Sequence, residues 1–264
     1  MPSVSEGPLD RILEHEAGDL TCTVEAEIHL SALNDTLVPH GQMLALDPPG
    51  DPTLGACLAA NLSGPRRHRY GTMRDLVIGA TVVLPDGTVA SSGGKVVKNV
   101  AGYDLGKLFC GSEGRLGRIV RLSLRLHPVP EASATVVAEP DAATALAVLR
   151  STLVPSAVDL HWPERLALLF EGSEQAVAAQ VEAARELIGA EPAGDDVWEE
   201  AAERQASARG RLPFSPGSLA EVLAAEDEAI VRVAAGVAYV PHEVPDPRDP
   251  AEIALGDRIA AAFG

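Results

Sequence analysis

The strongest constraint on the fold is a pair of β-rich runs around one tight turn, "LVIGATVVLPDGTVAS" at residues 76–91. Val, Ile and Thr favour extended backbone, and Pro-Asp-Gly between two such runs is typical of a β-hairpin. "LTCTVEA" (20–26) and "RIVRLSLRL" (118–126) alternate apolar and polar residues, which predicts two half-buried strands. "HPVP" predicts the end of the second one, because proline cannot donate to a strand ladder. Between them, "HLSALNDTLVPHG" has leucines at helical spacing and predicts a short amphipathic helix.

The second half follows a different order. "SATVVAE" predicts a strand, "DAATALAVLRSTL" a helix capped by Asp141, and "SAVDLHW" and "RLALLF" two strands. "SEQAVAAQVEAARELIGA" predicts a helix from the N-cap Ser173 to Gly189, and "AIVRVAAGVAYV" (229–240) one more strand. This β-α-β-β-α-β order is that of a ferredoxin-like unit, and a helix over 249–262 ends the chain.

Charge divides the 264 residues at the same place. Residues 1–128 carry 12 Lys/Arg and 14 Asp/Glu, whereas residues 129–264 carry 9 and 24, within a net charge of −17. The break predicts two domains, 1–128 and 129–264, in an α+β protein. Nucleic acid is excluded as a partner, because its phosphate backbone requires a broad basic face.

The three cysteines are widely spaced and form no CxxC motif, which predicts reduced, buried thiols in a cytoplasmic protein. No apolar run is long enough to span a bilayer, so no transmembrane segment is expected. The seven histidines show neither H-x-H nor H-E-x-x-H spacing, and we expect no metal site.

Three glycine-rich stretches are candidates for chemistry: "DPPGDPTLGACLAANLSGP" (47–65), "RRHRYG" (66–71) and "GGKVVKNVAGYDLGKLFCGSEGRLG" (93–117). The last holds all three lysines and ends in G-x-x-G-x-x-G, which is neither a Rossmann nor a Walker motif. It precedes a strand, so only a nest of backbone N–H groups could hold an anion there. Taken singly, each stretch is explained as well by tight turns between strands.

Taken together, these stretches resemble the flavin-binding domain of the vanillyl-alcohol-oxidase/PCMH superfamily, and within it the E-subunit type of glycolate oxidase. The resemblance is dense over 10–128 and thinner over 129–264. It implies an α+β PCMH-type domain of two subdomains with FAD between them, and a cap domain over the isoalloxazine ring. It also implies oxidation of a 2-hydroxy acid, or electron relay from it, in a hetero-oligomer with a D-type flavoprotein and an iron–sulfur subunit.

The resemblance also implies which positions line FAD, several of them glycines that let backbone approach flat rings and diphosphates. These positions are Pro49, Gly50, Thr53, Leu54, Gly55, Asn61, Ser63, Gly64, Arg69, Tyr70, Gly71, Glu113, Gly114, Gly117 and Ile119. No catalytic base is identified, because the H-x-x-D-G-N type motif of the D-type partner does not occur here.

The chain departs from the family pattern in several places. It starts after the segment that holds an Arg-Gly-Gly-Gly-Thr type loop, and it stops before the D-P-x-G-x-x-N-P tail, which predicts a domain truncated at both ends. Ala56 and Glu27 stand where glycine is favoured, and Arg118 where an aliphatic residue is usual. Two hypotheses follow: a FAD-binding oxidoreductase subunit, or a non-catalytic interaction subunit that has lost tight FAD binding.

Single residues leave alternatives open. The basic cluster Arg66, Arg67, His68 and Arg69 suits an anionic cofactor or substrate, a solvated loop, or a docking point for an acidic partner. Glu113 suits the flavin ribityl or a solvated turn. Around Gly102-Tyr103-Asp104, Asn99 suits a turn and Asp104 the cap of the short helix "LGKLF", with the lysines Lys95 and Lys107, and less clearly Lys98, on the rim of the loop. His161 suits a substrate cavity or packing at a strand end.

Overall fold

The computed structural model describes residues 8–93 and 105–245 together with Ala254, Asp257, Arg258 and Ala261. These last four are helical, and they lie within the helix predicted over 249–262. Lys95, Lys98, Asn99 and Asp104 lie outside the described residues, so the predictions made for them stay predictions.

The described part contains fourteen strands and eight α-helices. The strands are β1 (Ile12–Glu16), β2 (Thr21–Glu25), β3 (Gln42–Met43), β4 (Val77–Val83), β5 (Val89–Gly93), β6 (Arg118–Arg125), β7 (His127–Pro128), β8 (Ala132–Ala138), β9 (Ala157–Trp162), β10 (Arg165–Gly172), β11 (Glu191–Ala193), β12 (Gly210–Pro213), β13 (Ala229–Arg232) and β14 (Val237–Val240). The helices are α1 (Leu30–Leu37), α2 (Leu54–Ala60), α3 (Arg67–Tyr70), α4 (Met73–Leu76), α5 (Ala142–Arg150), α6 (Glu174–Ile188), α7 (Asp196–Ser207) and α8 (Leu219–Ala225).

The chain forms two compact units. The first contains Met1–Ser63, Gly71–Val129 and Asp246–Gly264, and the second contains Gly64–Tyr70 and Pro130–Pro245. The second unit thus combines Gly64–Tyr70 with Pro130–Pro245. The domain boundaries drawn from the sequence stay a prediction.

The first unit is built on an antiparallel sheet of five strands in the order β1-β2-β6-β4-β5. Its apolar face, which includes Val24, Leu122 and Leu124, packs against buried leucines of α1 and α2. The predicted hairpin is confirmed, since Val83 pairs with Val89 across a turn. Gly87 adopts φ +83° in that turn, a left-handed conformation that glycine tolerates best.

The second unit is an antiparallel sheet in the order β11-β8-β10-β9-β13-β14-β12. The elements β8, α5, β9, β10, α6 and β11 follow the β-α-β-β-α-β order. The last strand of this β-α-β-β-α-β unit is β11, which pairs with β8. The prediction that 229–240 is one strand is wrong, because this stretch forms the hairpin β13–β14, which pairs with β9 through β13. Gly236, at φ +61° between these strands, turns the chain where the apolar run alone predicted continuous extension.

The two helix caps predicted in this unit are confirmed. The Asp141 carboxylate accepts hydrogen bonds from the N–H groups of Ala143 and Thr144, at 2.8 and 2.9 Å. The Ser173 hydroxyl accepts from the Ala176 N–H at 3.3 Å, and Gly189 ends α6 at φ +65°. Each cap satisfies amide groups that have no partner inside the helix.

The seven-stranded sheet has two different faces. One carries Val158, Leu160, Leu168 and Phe170 and packs against α5, α6 and α8. The other, called here the polar face, carries the buried side chains Thr135, Asp159, His161, Glu171 and Arg232. Segment 64–70 and α7 pack on the polar face, through contacts described below.

Cys22, Cys57 and Cys110 are free thiols, as predicted; Cys22 and Cys57 are buried, whereas Cys110 is only half-buried. Burial raises the pKa of Cys22 and Cys57 to about 12, so both stay protonated at neutral pH. Within the described residues, no helix combines the length and the apolar character that crossing a bilayer requires.

Candidate functional site

Three of the predicted cofactor positions, Thr53, Leu54 and Gly55, lie at the start of helix α2. Thr53 is its N-cap, and the Thr53 hydroxyl accepts from the Ala56 N–H at 3.3 Å. The Leu54 N–H donates to the Ile28 carbonyl at 3.0 Å, and the Gly55 N–H to the Ala26 carbonyl at 2.7 Å. The first N–H groups of α2 therefore have partners inside the protein.

Gly55 is required by packing. A Cβ built on Gly55 would lie 2.9 Å from the Ala26 carbonyl oxygen and 3.0 Å from the Ala26 Cβ, closer than side chains approach. The Leu54 side chain is fully buried in the core. In "TLG", Leu54 and Gly55 thus fix α2 on the sheet, and only their backbone remains for a cofactor.

The "PPGD" loop before α2 is tied to α1 by Asp51. Its carboxylate accepts from the Ser31 N–H at 2.9 Å and from the Ser31 hydroxyl at 2.7 Å. The Ser31 amide and hydroxyl lower the pKa of Asp51. Gly50, at φ +70°, is exposed, and a Cβ there would meet open space, while Pro49 is half-buried.

The other end of α2 meets the "GSEGRLG" loop. Asn61, in the left-handed conformation (φ +48°), is the C-cap of α2. The Gly111 N–H donates to the Leu58 carbonyl at 3.0 Å, and the Glu113 N–H to the Ala59 carbonyl at 2.8 Å. These bonds satisfy carbonyls that the helix end leaves unpaired. The structure thus brings together two stretches that are fifty residues apart in the sequence.

Two buried polar atoms at this junction, Asn61 Oδ1 and Ser112 Oγ, have no hydrogen-bond partner among the described residues. Buried polar groups in folded proteins are almost always paired, and an unpaired one costs about 1–3 kcal/mol. Next to Ser112, a Cβ on Gly114 (φ +77°) would meet open space. Ser112 was missed in the sequence, where its position inside a predicted cofactor loop was the one available signal.

Glu113, Gly117 and Ile119 complete this loop and the strand after it. The exposed Glu113 carboxylate accepts from Arg115 Nη2 at 2.9 Å. Gly117, at φ +142°, lies against β4, because a Cβ there would be 2.7 Å from the Val83 carbonyl oxygen. Ile119 is 9% exposed and belongs to the core of the first unit.

Ser63 and Gly71 flank the segment that packs with the second unit. The buried Ser63 hydroxyl accepts from the Met73 N–H at 3.1 Å. Gly71, at φ +87°, faces the capping box of α4, where Asp75 Oδ2 accepts from the Thr72 N–H at 2.8 Å. A Cβ on Gly71 would lie 2.7 Å from the Asp75 Cβ, so this position also needs glycine.

The segment 64–70 is anchored on the polar face by Glu171, whose side chain is fully buried. Arg66 Nε and Nη2 donate to Glu171 Oε1 at 3.0 and 2.7 Å, and the Tyr70 hydroxyl donates to Oε2 at 3.3 Å. Arg69 Nη1 donates to the Glu171 carbonyl at 2.6 Å and to the Ser156 hydroxyl at 3.3 Å. Arg66 and Arg69 are therefore not part of a freely solvated loop.

Elsewhere on the polar face, His161 is fully buried, and within the part of the chain that the structure describes neither ring nitrogen has a hydrogen-bond partner. Its ring meets that of Trp198 edge to face, with 6.1 Å between centroids. Burial lowers the pKa of His161 to about 3, so the ring is neutral. Arg232 Nε lies 3.4 Å from Asp159 Oδ2, and burial nevertheless raises the pKa of Asp159. The packing alternative for His161 fits these contacts.

A cleft of about 460 Å³ lies on the outer face of the five-stranded sheet. Hydroxyls line it, among them two pairs that hydrogen bond across strands, Thr23 with Ser123 at 3.1 Å and Thr81 with Ser91 at 2.9 Å. None of the cleft's lining residues belongs to the predicted cofactor set. We therefore take the junction between α2 and the 111–117 loop as the candidate site.

Comparison with known proteins shows what the first part of the chain resembles. Residues 3–93 match the model of the FAD binding domain family. The match is to a FAD-binding domain of the PCMH type. The match assigns FAD as its cofactor and confirms the α+β PCMH-type fold. It ends at Gly93, so the 111–117 loop lies beyond it.

Individual relatives extend the similarity. The chain is 33% identical to "Glycolate oxidase subunit GlcE" of Escherichia coli over 79% of its own length and 59% of that protein. It is 36% identical to "D-lactate dehydrogenase [cytochrome] 1, mitochondrial" of Saccharomyces cerevisiae, over 60% of this chain and 27% of that protein. The chain thus spans less than two thirds of either relative.

A solved structure supports the fold. An alkyldihydroxyacetonephosphate synthase superposes with a TM-score of 0.61 at 22% identity, over 74% of this chain and 43% of that one. This similarity concerns the architecture alone.

The candidate site of the PCMH-type domain fits a cofactor such as FAD. Asn61 Oδ1 and Ser112 Oγ offer unpaired hydrogen-bonding atoms, and Gly50 and Gly114 leave open space beside backbone. Twelve of the fifteen predicted positions lie in the first unit, and Gly64, Arg69 and Tyr70 lie in the second. Which of the fifteen contact FAD remains a prediction.

Two departures from the family pattern compensate for each other. Arg118 Nη2 donates to Glu27 Oε1 at 2.6 Å, so the acid and the base that replace the usual residues form one ion pair. The Arg118 hydrogen bond lowers the pKa of Glu27. Both side chains are about half exposed, so this pair adds little stability.

Proposed function

We propose that this protein is the FAD-binding oxidoreductase subunit of a glycolate-oxidase type complex that oxidises a 2-hydroxy acid or relays its electrons. The observation that carries the proposal is the pair of unpaired polar atoms, Asn61 Oδ1 and Ser112 Oγ, in the predicted cofactor loops of a FAD-binding domain. The 33% identity to a glycolate oxidase subunit over most of the chain supports the substrate class.

Bound FAD would supply the electron acceptor for a 2-hydroxy acid. The chain's own residues would hold it: Asn61 and Ser112 by hydrogen bonds, and Gly50 and Gly114 by close backbone approach. Asp51 and the Gly111 and Glu113 amides would keep these loops in place before the cofactor arrives. We also propose a D-type flavoprotein and an iron–sulfur protein as partner subunits.

One observation favours the second hypothesis, an interaction subunit that has lost tight FAD binding. The N–H groups of Leu54, Gly55 and Ala56 at the start of α2 all have protein partners, so this helix end offers none of them to a pyrophosphate. Affinity for FAD then has to come from the loops alone.

The two hypotheses differ in flavin chemistry. The purified full chain, mixed with FAD and then glycolate or D-lactate under anaerobic conditions, is expected to hold FAD and to bleach its visible absorption. A second set adds the co-expressed partner subunits and compares the flavin content per complex with that of the D-type flavoprotein alone. A chain that stays colourless alone and adds no flavin to the complex would leave only the interaction role, and bound FAD that no 2-hydroxy acid reduces in either set would refute the proposed activity.

Ser112→Ala tests the cofactor contact without a catalytic assay. Removing an unpaired buried hydroxyl should leave the protein without FAD as stable as before, or up to about 1 kcal/mol more stable. FAD affinity should fall about tenfold, since one hydrogen bond is lost. Ser91→Ala, at the outer sheet face, is the control. If Ser112→Ala lowered stability without FAD and left affinity unchanged, the hydroxyl would be structural.

A further inference from the structure

Among the described residues, four arginines of the acidic second unit form no ion pair, and two of them, Arg67 and Arg211, act on one another. Within the described residues, Arg67 and Arg211 form no ion pair, although the unit is rich in Asp and Glu. Most other arginines of the unit are paired, namely Arg66, Arg165, Arg185, Arg204, Arg209 and Arg232. The proximity of these two positive charges needs an explanation.

Tyr239 brings these arginines together. In the ladder between β12 and β14, Arg211 lies directly opposite Tyr239, so both side chains leave the same face of the sheet. The Arg232 guanidinium lies 4.9 Å from the centre of the Tyr239 ring. Arg67, from segment 64–70, is close enough to Tyr239, Arg232 and Arg211 to interact with them electrostatically. Arg67, Arg211 and Arg232 therefore all lie near Tyr239.

The cluster carries more positive than negative charge. The carboxylate recorded beside it, Asp159, lies 3.4 Å from Arg232 and is itself fully buried. Burial lowers the pKa of the half-buried Arg67 guanidinium, and the charges of Arg232 and Arg211 lower it further. Like charges held together raise the free energy of the folded protein, and an anion bound between them would relieve this repulsion.

We propose that Arg67, Arg211 and Tyr239 form a binding site for a small oxyanion. Guanidinium groups present paired N–H donors that match the oxygens of a carboxylate or a phosphate. The Tyr239 hydroxyl can donate its hydrogen to a ligand oxygen. The identity of the anion, though not its binding, rests on the proposed function: a 2-hydroxy acid brings a carboxylate, and FAD brings phosphates.

The test uses the full chain without flavin. Oxalate, a carboxylate that this chemistry cannot oxidise as a 2-hydroxy acid, and inorganic pyrophosphate are titrated separately by calorimetry at constant ionic strength. Arg67→Gln and Arg211→Gln should each weaken binding at least about tenfold, as expected for a charged hydrogen bond. Tyr239→Phe should weaken it several-fold. Arg150→Gln, an exposed arginine of α5 without an ion pair among the described residues, is the matched control.

Thermal unfolding separates binding from a structural role. Without anion, Arg67→Gln should melt no lower than the wild type, because a repulsive charge has gone, and added anion should no longer raise its melting temperature. Binding of oxalate alone would identify the substrate carboxylate as the ligand, and binding of pyrophosphate alone a cofactor phosphate. Absence of binding, or equal binding by the Arg67 and Arg211 variants, would overturn the site while leaving the FAD titration unaffected.

Discussion

Glu171→Ala should destabilise the second unit strongly. The Glu171 side chain is fully buried and holds Arg66 by two hydrogen bonds and Tyr70 by one. Removing one partner of a buried ion pair costs about 3–5 kcal/mol. The Arg66 side chain keeps 33% of its exposure, so water can hydrate its freed charge in part, and the expected loss is about 2–4 kcal/mol.

Two other variants serve as references for the loss of stability expected of Glu171→Ala. Glu171→Gln keeps the shape and an acceptor oxygen but removes the charge, and should cost about 1–2 kcal/mol. Arg209→Ala breaks an ion pair with Glu243 in which both side chains are mostly exposed, so its effect should be too small to measure.

The assay is denaturant unfolding followed by tryptophan fluorescence. The chain has two tryptophans, Trp162 and Trp198, and both belong to the second unit, so the signal reports on the unit that contains Glu171. If the Glu171→Ala curve coincided with that of Arg209→Ala, segment 64–70 would not be anchored as described.

Three other changes have defined outcomes. Gly117→Ala places a Cβ 2.7 Å from the Val83 carbonyl oxygen at φ +142° and should cost at least about 2 kcal/mol. Gly114→Ala, in open space at φ +77°, should cost only the strain of a left-handed backbone, about 1 kcal/mol; equal losses in thermal melts would contradict this. Burial lowers the pKa of His161 in the folded protein to about 3. The contribution of the neutral ring to the free energy of unfolding is therefore present above pH 6.5 and is lost as pH falls from 6.5 towards 3. His161→Phe should remove about 4 kcal/mol of this loss of stability in acid. The raised pKa of Asp159 acts in the opposite direction, because it favours the folded protein at low pH, and this effect should remain in the variant. An unchanged dependence of the free energy of unfolding on pH would refute the prediction.

Local sequence signals predicted most of the secondary structure. The alternation in 20–26 and 118–126, the Pro-Asp-Gly turn and the caps at Asp141 and Ser173 act over a few residues, and the structure confirms them. The error at 229–240 has a local cause as well. The apolar run 229–240 contains a turn at Gly236, and this single glycine was the only local sign of it among apolar neighbours.

Contacts between distant residues could not be predicted in the same way. The ion pair of Glu27 and Arg118 joins two separate departures from the family pattern, and only the packing of the first unit brings them together. The basic cluster was visible in the sequence, but its main partner, Glu171, lies about a hundred residues further along the chain. Tyr239 and Arg211 meet through a strand register that composition does not encode.

The most direct test of the central claim is a FAD titration of the full chain and of Asn61→Gly, a variant that keeps the left-handed conformation but removes the unpaired Oδ1. The account predicts that wild-type protein quenches flavin fluorescence saturably and gains thermal stability with FAD. The variant should fold with similar stability and bind FAD about tenfold more weakly. Equal affinity of the two proteins, or no binding by the wild type, would contradict a cofactor site at the junction of α2 and the 111–117 loop.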